Sequence, residues 1–155
     1  MMTALRLILM AAVIAAFVAM PAGAQPKPGA PCKILTSDEA VAILGAGTKS
    51  EMVIPDGKAR MCSFSNGAKK LSVSAVDEGP AAAPRKDELE QLRKENKGKV
   101  ERGLGDFAVS FTEAEICAVM AIKGGRIVDV RTTGAGPSNQ MLKAMRTAAE
   151  AMLGR

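Results

Sequence analysis

The sequence predicts an α+β fold: one antiparallel sheet with helices packed on one face, built as a single domain over residues 32–155. Three observations point there. Stretches of alternating apolar and polar residues flank the turn signals Asn66-Gly67 and Gly124-Gly125. A 3.6-residue apolar stripe closes the chain, through Met141, Met145, Ala148, Ala149 and Met152. A weak internal repeat relates MCSF…NG…LSVSAV…P…LEQLR to ICAV…GG…IVDVR…P…LKAMR. It makes each half a strand, a strand–turn–strand and a helix, with Cys62 matching Cys117 and Leu89 matching Leu142.

The first 24 residues read as a secretory signal peptide rather than part of the fold. Arg6 precedes an apolar run over residues 7–20, Pro21 breaks it, and Ala22-Gly23-Ala24 is a small-residue cleavage signal. The run is short of the roughly 20 residues that a spanning helix needs, so no stable membrane span is expected after cleavage. No cysteine stands at the cleavage point, which argues against a lipid anchor; Cys32 lies eight positions further on. The expected location is periplasmic or extracellular. Residues 25–31, QPKPGAP, read as a flexible leader.

The elements follow in order. Thr36 and Glu39 form a capping box that starts a helix over residues 37–44, which Gly45 is placed to end in the left-handed conformation. A strand over residues 51–54 is closed by Pro55-Asp56-Gly57. Cys62 and Phe64 alternate with Ser63 and Ser65, and Leu71, Val73 and Ala75 with Ser72 and Ser74, giving a half-buried hairpin. After the linker EGPAAAP, residues 85–97 form a charged surface helix with Leu89 and Leu92 as a thin stripe, and Gly98 helps to end it. Phe107, Val109 and Phe111 mark a strand. ICAVMAI, over residues 116–122, is apolar on both faces, as a central strand is. Gly124-Gly125 turns it into a strand over residues 126–131, and Ser138 caps the last helix.

GLGDFA, from Gly103, resembles a dinucleotide-binding glycine fingerprint. That fingerprint follows a strand and opens a helix, so that a phosphate meets the helix N-terminus. Here the order is reversed, so the glycines are read as a tight turn with positive φ and Asp106 as bonding to its own local backbone.

PCKILTSDEAVAILG, then CSF, then GLGDFAVSF and the ICAVMAIKGGRIVDV hairpin together resemble a family of small exported bacterial domains, often lipoproteins, with no assigned function. The resemblance spans nearly the whole mature chain. It implies an α+β fold and a Cys32–Cys62 bridge, and it carries over no catalytic residue. The chain departs from the pattern in lacking a lipobox.

Composition then limits the chemistry. The net charge of +5 falls to +4 when Arg6 leaves with the signal, and there is no Trp, Tyr or His. Nucleic-acid binding, which wants a basic patch with stacking aromatics, is not expected. Without histidine the usual Ser–His and Cys–His pairs are excluded. Zinc wants closely spaced Cys and His, and Cys32, Cys62 and Cys117 are far apart. In an oxidising compartment one disulfide is expected. We pair Cys32, which sits in an irregular lead-in, with Cys62, leaving Cys117 as a free thiol in an apolar strand.

The expectation is therefore an exported domain that is not an enzyme, with no catalytic, cofactor or metal residues. It would bind an envelope protein or an anionic envelope component through a sheet face, a groove or the charged helix at residues 85–97. The alternative is a copper or redox module using Cys117 with Met120, Met141 and Met145, against which these side chains read as core filling. Glu113 and Glu115 could be drawn as a carboxylate pair but read as a solvated turn.

Overall fold

The computed structural model describes residues 31–54 and 59–155. The signal peptide, residues 25–30 of the leader and the Pro55-Asp56-Gly57 turn lie outside the described residues.

Thr36 and Glu39 start the first helix, α1 (Ser37–Leu44), as their spacing predicts. The Thr36 hydroxyl accepts from the Glu39 N–H at 3.2 Å, and the Glu39 carboxylate accepts from the Thr36 N–H at 2.7 Å. Gly45 ends the helix at φ +98° and ψ 173°, outside the left-handed helical region but still in backbone space that glycine takes readily. The same Glu39 receives Arg155, whose guanidinium donates to both carboxylate oxygens at 2.8 Å. The last residue of the chain is thereby fastened to the first helix. Thr36→Ala should lower stability by about 1 kcal/mol, the usual worth of an N-cap hydroxyl. The shift of the urea midpoint measures it.

Seven strands make one antiparallel sheet: β1 (Lys49–Ile54), β2 (Ala59–Asn66), β3 (Lys69–Asp77), β4 (Lys99–Val100), β5 (Phe107–Glu113), β6 (Ile116–Lys123) and β7 (Arg126–Thr133). Their order across the sheet is β1-β2-β3-β7-β6-β5-β4. A 3-10 turn (Gly79–Ala82) and helix α2 (Arg85–Glu95) connect β3 to β4, and helix α3 (Asn139–Gly154) ends the chain with Ser138 as its cap. The α+β class and the single antiparallel sheet match the reading of the sequence.

The helices are divided between the two faces. Successive side chains of a strand point to opposite sides. Cys117, Val119 and Ala121 of β6 join a large core with α1 and α3, whereas Ile122 and Met120 join Leu89 and Leu92 of α2 with Val109 and Phe107 of β5. The charged helix therefore packs on the face away from the other two. The cause is β6 itself: a strand apolar on both sides needs cover on both.

The repeat holds for the strands and fails for the helices. Two three-stranded meanders, β1-β2-β3 and β5-β6-β7, meet through their last strands. Asn66 pairs with Lys69 and Lys123 with Arg126, so Gly67-Ala68 and Gly124-Gly125 are the matching two-residue loops. Counting back from them, the counterpart of Cys62 is Val119, not Cys117. Leu89 and Leu142 are not equivalent either, because α2 and α3 lie on opposite faces.

Gly98 helps to end α2, as expected. Lys97 takes the positive φ, at +51°, and the Gly98 N–H donates to the Arg93 carbonyl at 2.7 Å. Gly98 is needed for another reason: a Cβ there would stand 2.4 Å from the Ser110 carbonyl oxygen.

Candidate functional site

The GLGD stretch is a structural clasp. Gly103 and Gly105 have φ of +72° and +64° in the turn between β4 and β5. Between them Leu104 is buried in the large core. The Asp106 N–H donates to the Ile122 carbonyl at 2.7 Å, and its carboxylate accepts from the Gly124 N–H at 2.8 Å. Asp106 thus holds the tip of the β6–β7 hairpin rather than its own local backbone. The motif opens a strand, as expected, but β4 intervenes between it and the preceding helix.

The Cys32–Cys62 disulfide is present and ties the irregular lead-in to the middle of β2. A depression of about 380 Å³ beside it is lined by Cys32, Leu35, Ser50 and Phe64. Cys117 is a free thiol with 0% exposure. The Thr112 hydroxyl donates to its Sγ at 3.8 Å. Met120 lies on the opposite face of β6, with the α2 cluster, so those two sulfurs do not converge. Met141 and Met145 fill the core under α3, and the Met141 Sδ accepts from Thr132 at 3.9 Å. Among the described residues, no three His, Cys, Asp or Glu side chains are grouped to hold a metal ion. Glu113 and Glu115 are exposed at the β5–β6 turn.

The charged helix satisfies much of its charge internally. Arg85 pairs with Glu78 and Glu88, and Arg93 and Lys94 with Glu90. Lys86 stands 5.4 Å over the Phe107 ring. A helix whose cations are already paired has less to offer an anionic partner.

What the sequence did not single out is the open part of the sheet on the α2 side. α2 packs on β5 and the 3-10 turn on the start of β7 at Ile127, leaving the same face of β1, β2, β3 and the rest of β7 without a helix. The strand registers place the polar side chains of both hairpins in rows there. Lys49, Ser65, Lys70 and Thr133 stand side by side in one row. Met52, Ser63, Ser72 and Arg131 form the next, and Ile54, which is buried, Met61, Ser74 and Asp129 the one after. The serines were legible as the outward half of a hairpin. Their neighbours Asp129 and Arg131 were not, because the β3–β7 pairing joins residues more than fifty positions apart.

Asp129 and Arg131 form an ion pair at 3.0 Å. The pairing is incomplete: Asp129 Oδ1 and Arg131 Nε are enclosed and have no hydrogen-bond partner among the described residues. The Asp129 side chain as a whole keeps 23% exposure, so its two oxygens are unevenly buried. Burial pushes its carboxyl above the ordinary range, against the attraction of Arg131. Two other carboxyls move the opposite way. Hydrogen bonding from Arg126 leads the lowering of Asp77, with Arg60 adding attraction. For Glu39, burial works upward but is outweighed by Arg155 and the Thr36 backbone.

The signs lead to a prediction. Asp77 and Glu39 have folded values below their unfolded ones, so their contribution to stability is present above the ordinary carboxylate range and lost as pH falls through the folded values. Asp129 contributes in reverse. Its stabilisation is present below the unfolded value and lost as pH rises through the raised folded value. Asp129→Asn should therefore gain stability relative to the parent as pH rises above the ordinary carboxylate range. Urea midpoints across that rise measure it; a difference that stays flat would exclude the assignment.

Among the described residues, no helix is long and apolar enough to cross a membrane. No family model, curated protein or solved structure matches the chain.

Proposed function

We propose that this protein is an exported, non-enzymatic binding domain that engages a protein or envelope component through the open half of its sheet. The observation that carries the reading is the uncovered face of β1, β2, β3 and most of β7, with its rows of serine, lysine, methionine and the incompletely satisfied Asp129–Arg131 pair. A central sheet face that no helix covers is a ready interaction surface, and loss of solvent there is offset by contacts to a partner. Export is supported by the signal-peptide pattern of residues 1–24 and by the Cys32–Cys62 disulfide, which suits an oxidising compartment. The non-enzymatic reading rests on the absence of histidine from the sequence and on the use of Asp106 and Cys117 in structural contacts.

The test is site-specific photo-crosslinking of the full chain in a host that exports it. A photoreactive residue replaces Ser72 on the open face or, as a control, Thr147 on the outer side of α3, both exposed. The reading expects discrete adducts from position 72 and none from position 147. Adducts confined to position 147, or none at either, would refute it.

A further inference from the structure

The open face is unevenly charged, and that asymmetry selects a partner. At one end Lys49 and Lys70 flank Ser65, and both are exposed. Neither has an ion-pair partner among the described residues. Arg131 stands in the adjacent row, beside Ser72. Asp129 is the one acidic side chain in these rows, and its Oδ2 is taken by Arg131. Glu51, on the edge strand, sits in the bulge between Ser50 and Met52. Ser63, Ser65, Ser72 and Thr133 stand in the same rows as these cations, and a hydroxyl can donate to an oxyanion. Met52 and Met61, half-buried on the same face, add adaptable apolar surface.

Resting on the binding reading above, we propose that the occupant of this face is an acidic segment of another protein. Its carboxylates would meet Lys49 and Lys70, and its apolar side chains would lie on Met52 and Met61. Charge complementarity steers such encounters and suppresses wrong partners. Interfaces between proteins are enriched in Met and Arg. The face lacks what other polyanions need. It has no aromatic platform for bases: Phe64 lies in the core on the opposite side, Phe111 is buried, and Phe107 packs beneath α2. It has no protruding large apolar side chain to enter a lipid surface, since the two exposed large hydrophobics among the described residues, Val41 and Val100, lie elsewhere in the fold.

The experiment is amide-resolved NMR of the exported full chain, titrated with three probes. These are a twelve-residue peptide alternating Glu with Leu, the same peptide with Lys for Glu, and phosphatidylglycerol vesicles. The expected result is saturable shifts at Ser63, Ser65, Ser72 and Thr133 with the Glu peptide only. Lys49→Glu with Lys70→Glu should weaken that binding at least about tenfold, and salt should weaken it too. Both lysines are exposed, so the double variant keeps its core. Shifts that ignore the double variant, that fall on α2, or that fail to appear with the Glu peptide would overturn the proposal. Vesicles alone shifting the same residues would overturn it in favour of a lipid surface. In each of these cases the crosslinks at position 72 decide separately whether the open face binds anything.

Discussion

Gly105→Ala is expected to lower the stability of the fold by about 3 kcal/mol or more. Two effects add. The φ of Gly105 is +64°, where an alanine side chain is strained. The new Cβ would also stand 2.4 Å from the Ile122 carbonyl oxygen and 3.2 Å from Leu153 Cδ1. The first contact is with backbone, which cannot rotate aside. That carbonyl accepts the Asp106 N–H, so moving it loosens the hold on the β6–β7 hairpin as well. Gly103→Ala is the control. It shares the positive φ of +72°, but its nearest neighbour is an Arg146 nitrogen at 3.9 Å. Strain without the clash should cost about 1 kcal/mol. Denaturant unfolding of both variants measures the difference, and equal losses would show that the close approach at Gly105 contributes nothing.

Removing the disulfide has the second large effect. Cys32 and Cys62 close a loop with a sequence separation of 30. Restricting a loop of that length in the unfolded chain is worth about 3–4 kcal/mol. Replacing both cysteines with alanine should therefore destabilise by that order. Ile34 and Leu35, both 1% exposed, enter the core immediately after Cys32, so loss of the tether should reach them first. Hydrogen exchange should speed most in residues 33–36 and in the neighbouring part of β2. Cys117→Ser gives a contrasting case. It places a hydroxyl in an apolar core without touching the tether, so it should lower stability while leaving exchange at residues 33–36 in step with the rest.

Several features were legible because their causes are local. The Thr36–Glu39 box fixed the start of α1, and Ser138 that of α3, since each cap satisfies N–H groups within three residues of itself. The alternation of Cys62, Phe64, Leu71, Val73 and Ala75 marked a hairpin with one buried side. Asn66-Gly67 was read correctly as a turn signal, though Asn66 is the last residue of β2. Its side chain reaches across to the Leu44 and Ala46 carbonyls at the end of α1. That second task could not be read, because nothing in the local sequence says which helix end will lie nearby. β4 was missed for a related reason. Two exposed residues, Lys99 and Val100, form a strand only because β5 offers them an edge.

The sequence by itself determined the class of fold, most element boundaries, the disulfide pair and the burial of Cys117. The fold class, the boundaries and the burial of Cys117 follow from periodicity and caps, which act over a few residues or through the side of a strand that must be hidden; the disulfide pair follows from an oxidising compartment and an irregular lead-in that needs an anchor, and is implied by the family resemblance. Tertiary structure decided which face each helix takes, that Val119 is the counterpart of Cys62 in the repeat, the clasp made by Asp106 and the neighbours of Asp129 and Arg131. The Asp106 clasp and the counterpart of Cys62 depend on how the hairpins close and where the loop after β4 meets them, whereas the neighbours of Asp129 and Arg131 depend on the pairing of β3 with β7, which joins the two meanders across a long stretch of chain. Local propensity carries no information about that pairing. It sets the serines of β3 beside Asp129 and Arg131 on the sheet face where the proposed partner would sit.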